Sequence, residues 1–271
     1  ILHYTQPGDI VFDGFCGTGM TGVAAQLCGS KSDVDTLNEK GIKIGVRHAV
    51  CSDLSPIASL ISASYNLIFN PEEFKKKASA ILEQVENELG WMYETDVNGK
   101  KAKINNTIWS DIFVCPSCGK EICLWDESVD AEKQIIKDSF PCPHCGTTCS
   151  KKNMDKAWES SYDNVINKVT NLNKKKPVKI NFTLNGKRGE KIVDSNDIEL
   201  LERINQLEND SLRTSKLKEG YNTAQPINSN GIEYTHQFYT KRAFIYLSRV
   251  FELAKDDISL KTWITSVLFS T

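Results

Sequence analysis

The sequence predicts an α/β fold that carries a separate cysteine-rich insertion. Two observations lead to this prediction. Residues 1–66 alternate between short apolar runs and helical patterns, an order typical of a parallel sheet covered by helices. Two C-x-x-C pairs then follow between residues 115 and 145, outside that alternation. A packed core is expected, since 40% of the 271 residues are hydrophobic.

Charge, hydropathy and cysteine usage exclude several classes of protein. The formal net charge is -2, so any surface for a polyanion must be local. No run of 18 apolar residues occurs, and we expect no membrane span. The chain starts at Ile1 without a signal peptide, and we interpret it as a fragment of a longer, cytoplasmic protein. Its cysteines are then expected to bind metal or to remain free thiols.

The first elements form a strand, a glycine turn and a helix. Residues 10–12 are an apolar run that ends on Asp13, and four glycines lie between positions 14 and 22. Residues 20–28 read as a helix that ends at Gly29. Such a turn suits a nucleotide-like ligand, because glycines let the backbone approach it and the N–H groups at the helix start point towards it.

The sequence of this turn is compatible with two different cofactors. Residues 17–22 fit G-x-G-x-x-G, the dinucleotide fingerprint, which also occurs as a plain glycine turn in other α/β proteins. Residues 13–22, Asp-Gly-Phe-Cys-Gly-Thr-Gly-Met-Thr-Gly, resemble motif I of the DNA amino-methyltransferases, D-P-F-x-G-[ST]-G-x-T. Those enzymes bind S-adenosylmethionine, so the resemblance favours that cofactor. The chain departs from the motif at Gly14, where the family usually has Pro.

The second predicted strand, at residues 48–53, ends on an acid that suits a nucleoside. An acid at this position hydrogen-bonds the ribose hydroxyls, and the polar insertion at residues 30–45 explains why Asp53 comes late. Asp53-Leu-Ser-Pro resembles motif II of the same enzymes. The alternative is a plain helix cap before Pro56, which Ser55 could also supply. The resemblance implies cofactor contacts at Asp13, Gly14, Phe15, Cys16, Gly17, Thr18, Gly19, Thr21, Asp53, Leu54 and Ser55.

The C-x-x-C pairs predict a zinc site. Each pair is followed by glycine, and four thiolates form the closed tetrahedral shell that structural zinc prefers. Residues 122–125 and 134–136 read as the two strands of a hairpin, which would make a zinc ribbon. The alternative, two disulfides in a secreted protein, has no other support in the sequence. We expect Cys123, Cys149 and His144 not to be ligands. The predicted ligands are Cys115, Cys118, Cys142 and Cys145.

A basic stretch follows the cysteines. Residues 151–191 hold eleven Lys or Arg against four Asp or Glu, with Trp158, Tyr162 and Phe182 interleaved. This composition suits a DNA-contacting surface with stacking residues, although a solvated lysine-rich face fits it equally well. An acidic helix is predicted at residues 194–210, a mobile loop at 213–231, and helices from Thr240 and Ser259 onwards.

The order of these features resembles the large prokaryotic DNA methylases that contain an internal zinc ribbon. The resemblance implies an incomplete, Rossmann-like S-adenosylmethionine-dependent methyltransferase sheet with an inserted zinc ribbon and a helical, basic insertion. It implies methyl transfer to an exocyclic amino group of DNA, with adenine N6 favoured over cytosine N4. The implied division is a cofactor-binding part at 1–106, the ribbon at 107–152, the insertion at 153–233 and returning helices at 234–271.

The catalytic motif of that family is missing. Its Asp/Asn-Pro-Pro-Tyr/Phe run occurs nowhere in the sequence, so no residue is nominated as catalytic and the motif is expected beyond Thr271. We therefore expect DNA as partner and S-adenosylmethionine and zinc as cofactors, but no methylation by these residues alone. Two other classes remain open: a non-enzymatic zinc-ribbon binder of nucleic acid, and a nicotinamide-dependent oxidoreductase. The oligomeric state also remains open.

Overall fold

The computed structural model describes residues 1–37, 41–68, 70–130, 135–207, 214–255 and 257–268. These residues group into two units, one of residues 1–84 with 249–271 and one of residues 85–248. The strands are β1 (Ile10–Asp13), β2 (His48–Cys51), β3 (Glu94–Val97), β4 (Lys100–Val114), β5 (Glu121–Cys123), β6 (Val129–Asp130), β7 (Ile135–Ile136), β8 (Phe140–Pro141), β9 (Thr148–Cys149), β10 (Asp155–Lys156), β11 (Trp158–Asp163), β12 (Lys168–Asn173), β13 (Lys175–Leu184) and β14 (Lys187–Ile192).

The helices follow the predicted order at the two ends of the chain. They are α1 (Met20–Leu27), α2 (Lys31–Asp35), α3 (Pro56–Asn66), α4 (Pro71–Leu89), α5 (Leu124–Ser128), α6 (Ser195–Asn205), α7 (Tyr221–Asn230), α8 (Lys241–Leu253) and α9 (Ile258–Leu268). Short 3-10 helices lie at Gly90–Tyr93 and Thr235–Phe238. In the described part of the chain, every helix is too short or too polar to cross a bilayer.

The first unit is built on the parallel pair β1 and β2. Their register aligns Ile10 with His48 and Asp13 with Cys51, so both strands end at the same edge. Helix α3 begins as its sequence predicts, with the Ser55 hydroxyl accepting from the Ala58 N–H at 3.5 Å and Pro56 in the first turn. The strand–turn–helix–strand order predicted for the start of the chain is thus confirmed.

A buried arginine holds the start of this unit in place. The Arg47 guanidinium is 1% exposed and donates to the carbonyl oxygens of Lys43, Gly45 and Thr5 at 2.6–3.0 Å. Its Nε donates to the Thr5 hydroxyl at 3.1 Å. A buried cation needs such partners, because each unsatisfied polar group in the interior costs free energy. Arg47 therefore fixes the chain before β1 to the segment before β2.

The second unit is a mainly antiparallel sheet around the long strand β4. Strands β3, β5, β10 and β13 all pair with β4, and β14 pairs with β13. One face is apolar, with Ala102, Ile104, Ile180 and Phe182 buried and Leu200 of α6 packed against them. Helix α6 starts in a capping box between Asp194 and Asp197, as an acidic helix start favours.

The basic stretch differs from our expectation in its secondary structure. Residues 155–192 form strands β10 to β14 rather than part of a helical insertion, and helices come only afterwards in α6 and α7. The segment we expected to be a mobile loop contains helix α7, with Pro226 inside it. The residues at 208–213 lie outside the described part of the chain.

Candidate cofactor and metal sites

The glycine turn between β1 and α1 is fixed by Asp13. Its carboxylate accepts from the Thr21 hydroxyl at 2.5 Å and from the Phe15 N–H at 3.1 Å. The Cys16 N–H donates to the Ser52 carbonyl oxygen at 3.0 Å, which ties the turn to the end of β2. Asp13 and Thr21 therefore shape the turn through contacts with each other.

Two glycines in the turn have distinct physical roles. Gly19 has φ +81°, and an added Cβ would lie 2.3 Å from the Ser62 Oγ, so no larger residue fits between α1 and α3. Gly17 has φ +52°, and an added Cβ would meet nothing within 4 Å. The backbone at Gly17 thus borders open space, where a ligand could approach it.

Asp53 lies directly beside this open backbone. Its Oδ2 accepts from the Gly17 N–H at 3.0 Å, and its Oδ1 accepts from the Ser55 N–H at 2.9 Å. The N–H bonds from Ser55 and Gly17 lower the pKa of the Asp53 carboxyl below its usual value, so it is ionised at neutral pH. A carboxylate has about four acceptor positions, so these N–H bonds leave acceptor capacity for a ligand's hydroxyl group.

The start of α1 and two exposed side chains complete this edge. The N-cap of α1 is Gly19, which has no side chain to cap the helix, and the first turn contains no acid, so its first N–H groups suit an anionic ligand group. Phe15 is 81% exposed and Leu54 is 89% exposed. Large apolar side chains beside convergent polar groups are typical of small-molecule sites. The predicted residues of both strand ends therefore meet at one edge.

The two C-x-x-C pairs occupy equivalent turns. The Cys115 N–H donates to the Lys120 carbonyl and the Gly119 N–H to the Cys115 carbonyl, at 2.9 and 3.0 Å. The second pair repeats this pattern, with bonds from Cys142 to Thr147 and from Gly146 to Cys142 at 2.8 and 2.9 Å. Each turn closes a hairpin, β4 with β5 and β8 with β9.

The four predicted sulfur atoms come together at metal-binding distances. The Sγ atoms of Cys115, Cys118, Cys142 and Cys145 all lie within 4.8 Å of one another. The Cys115–Cys145 and Cys118–Cys142 sulfur pairs are 3.7 and 3.8 Å apart. A tetrahedral zinc ion about 2.3 Å from each sulfur sets the sulfurs about 3.8 Å apart. The donor set and its spacing therefore fit zinc.

The cluster has two polar neighbours outside the four cysteines, and one predicted strand pairing beside it is wrong. The His144 ring lies 3.2 Å from the Glu121 carbonyl oxygen and is not in the cluster. Burial raises the pKa of the Cys149 thiol to about 11, and its sulfur lies 4.0 Å from that of Cys115. We expected residues 122–125 to pair with 134–136, but β5 pairs with β4, and β7 pairs with β6. Trp125 lies in helix α5, and residue 134 lies outside the described part of the chain.

The basic stretch is only partly available as a surface. Lys156 donates to the end of α7, and four further lysines in the stretch pair with acids. The paired lysines are Lys174, Lys176, Lys179 and Lys191. Trp158 and Tyr162 are exposed on β11, but Phe182 is buried, contrary to its expected stacking role. The alternation of Val178, Ile180 and Phe182 in β13 was the signal for that burial.

The start of the chain, which contains the glycine turn, matches a model of a known protein family. Residues 1–49 match the family model described as DNA methylase. The match covers β1, the glycine turn and α1, and it ends within β2, before Asp53 and the four-cysteine cluster. It supports a DNA methyltransferase, and such a family implies S-adenosylmethionine as cofactor and DNA as substrate. Neither the curated proteins nor the solved structures gave a match to this chain.

Proposed function

We propose that this chain carries the cofactor-binding part of an S-adenosylmethionine-dependent DNA methyltransferase that modifies adenine N6. The observation that carries the proposal is the open glycine turn beside Asp53, whose first strand, turn and helix lie in the segment matched as DNA methylase. The same argument admits cytosine N4, since both bases present an exocyclic amine. The adenine preference rests on the resemblance in sequence alone.

The residues present at this edge fit S-adenosylmethionine by their chemistry. The uncapped start of α1 would hold the carboxylate of the amino-acid end, and Asp53 would accept from the ribose hydroxyls. Phe15 and Leu54 would cover the apolar ring system, since both are otherwise exposed to water. When bound, the cofactor supplies an electrophilic methyl group, and Asp13 and Thr21 keep the turn in shape.

The four-cysteine cluster would hold zinc in a structural role. Four protein sulfurs leave no open coordination position for chemistry, so the ion would stabilise the two hairpins instead. The small apolar cluster around Phe113, Ile122 and Phe140 is the core that such an ion would reinforce. The division into a cofactor part, a ribbon at 107–152, an insertion at 153–233 and returning helices remains part of this proposal.

No residue of this chain is proposed as catalytic. An exocyclic amine is a poor nucleophile, and enzymes that act on a base flip it into a pocket with stacking and hydrogen-bonding groups. The motif that supplies these groups in the resembling family is missing from the sequence. We therefore propose that residues 1–271 bind cofactor without turnover.

Isothermal titration of the chain with S-adenosylhomocysteine and with NAD⁺ tests the cofactor class. We expect one molecule of S-adenosylhomocysteine per chain and no NAD⁺ binding. Tight NAD⁺ binding without S-adenosylhomocysteine binding would favour an oxidoreductase, and binding of neither would favour a non-enzymatic nucleic-acid binder. A tritiated-methyl transfer assay on unmethylated DNA tests turnover, and incorporation clearly above background would show that a catalytic motif has been missed.

A further inference from the structure

One face of the sheet in the second unit carries polar side chains, including several asparagines. The opposite face packs against α6 through Ile104, Ile180 and Phe182. Asn181 and Thr183 alternate with the buried Ile180 and Phe182, so they lie on the polar side. The pairing of β4 with β13 skips Asn105 between Ile104 and Asn106, and this irregularity lets both asparagines reach the polar side. Antiparallel sheets often leave one face to solvent, but Asn is depleted in strands because it packs poorly there.

Amide and hydroxyl groups on this face bond to each other across β4 and β13. Asn181 Nδ2 donates to Asn106 Oδ1 at 2.6 Å, and Asn105 Nδ2 donates to Thr183 Oγ1 at 3.0 Å. These bonds fix the orientation of the amides and leave part of their hydrogen-bonding capacity unused. Asn105 and Asn106 are also exposed. The result is a rigid array of donors and acceptors open to a partner.

Two cations lie at the edge of this array. Strand β14 follows the tight turn at Asn185 and Gly186 and begins with Lys187 and Arg188, both exposed. Arg188 stands opposite Thr183 in the register, on the same polar face. Neither cation has a hydrogen-bond or ion-pair partner among the described residues, unlike Lys179, which pairs with Glu190.

We propose that this amide face, formed by Asn105, Asn106, Asn181, Thr183 and Arg188 with Lys187 at its edge, binds duplex DNA. The inference rests on the proposed DNA substrate. Unpaired cations beside amide and hydroxyl groups are the groups that contact DNA phosphates and sugars, which take half or more of protein–DNA hydrogen bonds. The charge of Lys187 and Arg188 complements the phosphates, and release of condensed counterions would drive binding.

The test uses charge-matched double variants of the whole chain. K187Q/R188Q removes the two cations of the amide face, and K151Q/K152Q removes two exposed cations at the end of β9 that also have no partner among the described residues. Binding of a fluorescent unmethylated duplex is followed by anisotropy over a salt series. We expect K187Q/R188Q to bind about tenfold more weakly at low salt, with the slope of log K against log salt reduced by about 2. K151Q/K152Q should match the wild type.

A second pair of variants tests the amides themselves. Asn106→Asp keeps the acceptor for Asn181 Nδ2 but adds a negative charge to the amide face. Asn171→Asp adds the same charge on β12, where the native side chain accepts from Ser160 at 3.3 Å. We expect only Asn106→Asp to weaken DNA binding.

Three outcomes would overturn the inference. Unchanged DNA binding by both K187Q/R188Q and Asn106→Asp would show that DNA binds at another surface, and the proposed function would still stand. Equal losses in the matched controls would show a diffuse charge effect. A wild-type chain that binds S-adenosylhomocysteine but no DNA would remove the proposed substrate along with the amide face.

Discussion

Replacement of Cys145 by serine should abolish high-affinity zinc binding without damage to an apolar core. Cys145 is the exposed member of the four-cysteine cluster, so its loss removes a ligand and little buried surface. Structural zinc sites bind their ion with about 10–16 kcal/mol, and an equal share among four thiolates makes each worth roughly a hundredfold or more in affinity. The wild-type chain should contain one zinc ion.

The assay is competition for zinc with a chromophoric chelator, supported by elemental analysis of protein purified without chelators. Cys123→Ser is the matched control, because Cys123 is a free thiol near the same hairpin and lies outside the four-sulfur group. Its zinc affinity should equal that of the wild type. Full zinc affinity in Cys145→Ser, or no zinc in the wild type, would refute the assignment of the four ligands.

Three further predictions concern the first unit. Gly19→Ala should lower the stability to chemical denaturation more than Gly8→Ala does. Both glycines have positive φ, where alanine costs about 1 kcal/mol in strain, but only the Cβ added at Gly19 would also clash with Ser62. Equal losses of stability in the two variants would contradict this close contact. Arg47→Met should cost roughly 2–5 kcal/mol in unfolding free energy, because it leaves the carbonyls of Thr5, Lys43 and Gly45 unpaired, and a loss under 1 kcal/mol would contradict that role. Hydrogen bonds from the Ser55 and Gly17 N–H groups hold the pKa of the Asp53 carboxyl below its usual value in the folded chain. Asp53 should therefore support S-adenosylhomocysteine binding at neutral and mildly acidic pH and lose it only as the pH falls through that lowered pKa, and loss of binding near neutral pH would contradict this.

Local signals made the glycine turn and the metal cluster predictable. Three signals each specify local structure within a few residues. They are the apolar run that ends at Asp13, the helix cap at Ser55 and the spacing of the cysteines. The proximity of Asp53 to Gly17 could also be predicted from the sequence, because parallel strands end at a common edge of the sheet. The sequence did not reveal that Asp13 and Thr21 bond to each other, since that contact depends on how α1 leaves the turn.

Pairing between distant segments explains the errors. Strand β4 pairs with β13, and every paired residue of β13 comes more than sixty residues after its partner in β4. No local sequence pattern identifies a pairing partner at that distance. The same lack of information led to the wrong hairpin for residues 122–125. Helix α7 was missed because its sequence is polar and contains Pro226, whereas the close approach of Gly231 to Asn171 shows that it packs against β12. Tertiary packing there outweighs weak helix propensity.

The most direct test of the cofactor site compares two aspartates at opposite ends of β1 and β2. Asp53→Ala removes the carboxylate beside Gly17. Asp9→Ala removes one at the other end of the strands that accepts from the Gln6 N–H. Calorimetric titration with S-adenosylhomocysteine should show binding weakened about tenfold to a hundredfold in Asp53→Ala, the range for hydrogen bonds to a charged group, and unchanged in Asp9→Ala. Equal affinity in both variants and the wild type would contradict a cofactor site at the glycine turn.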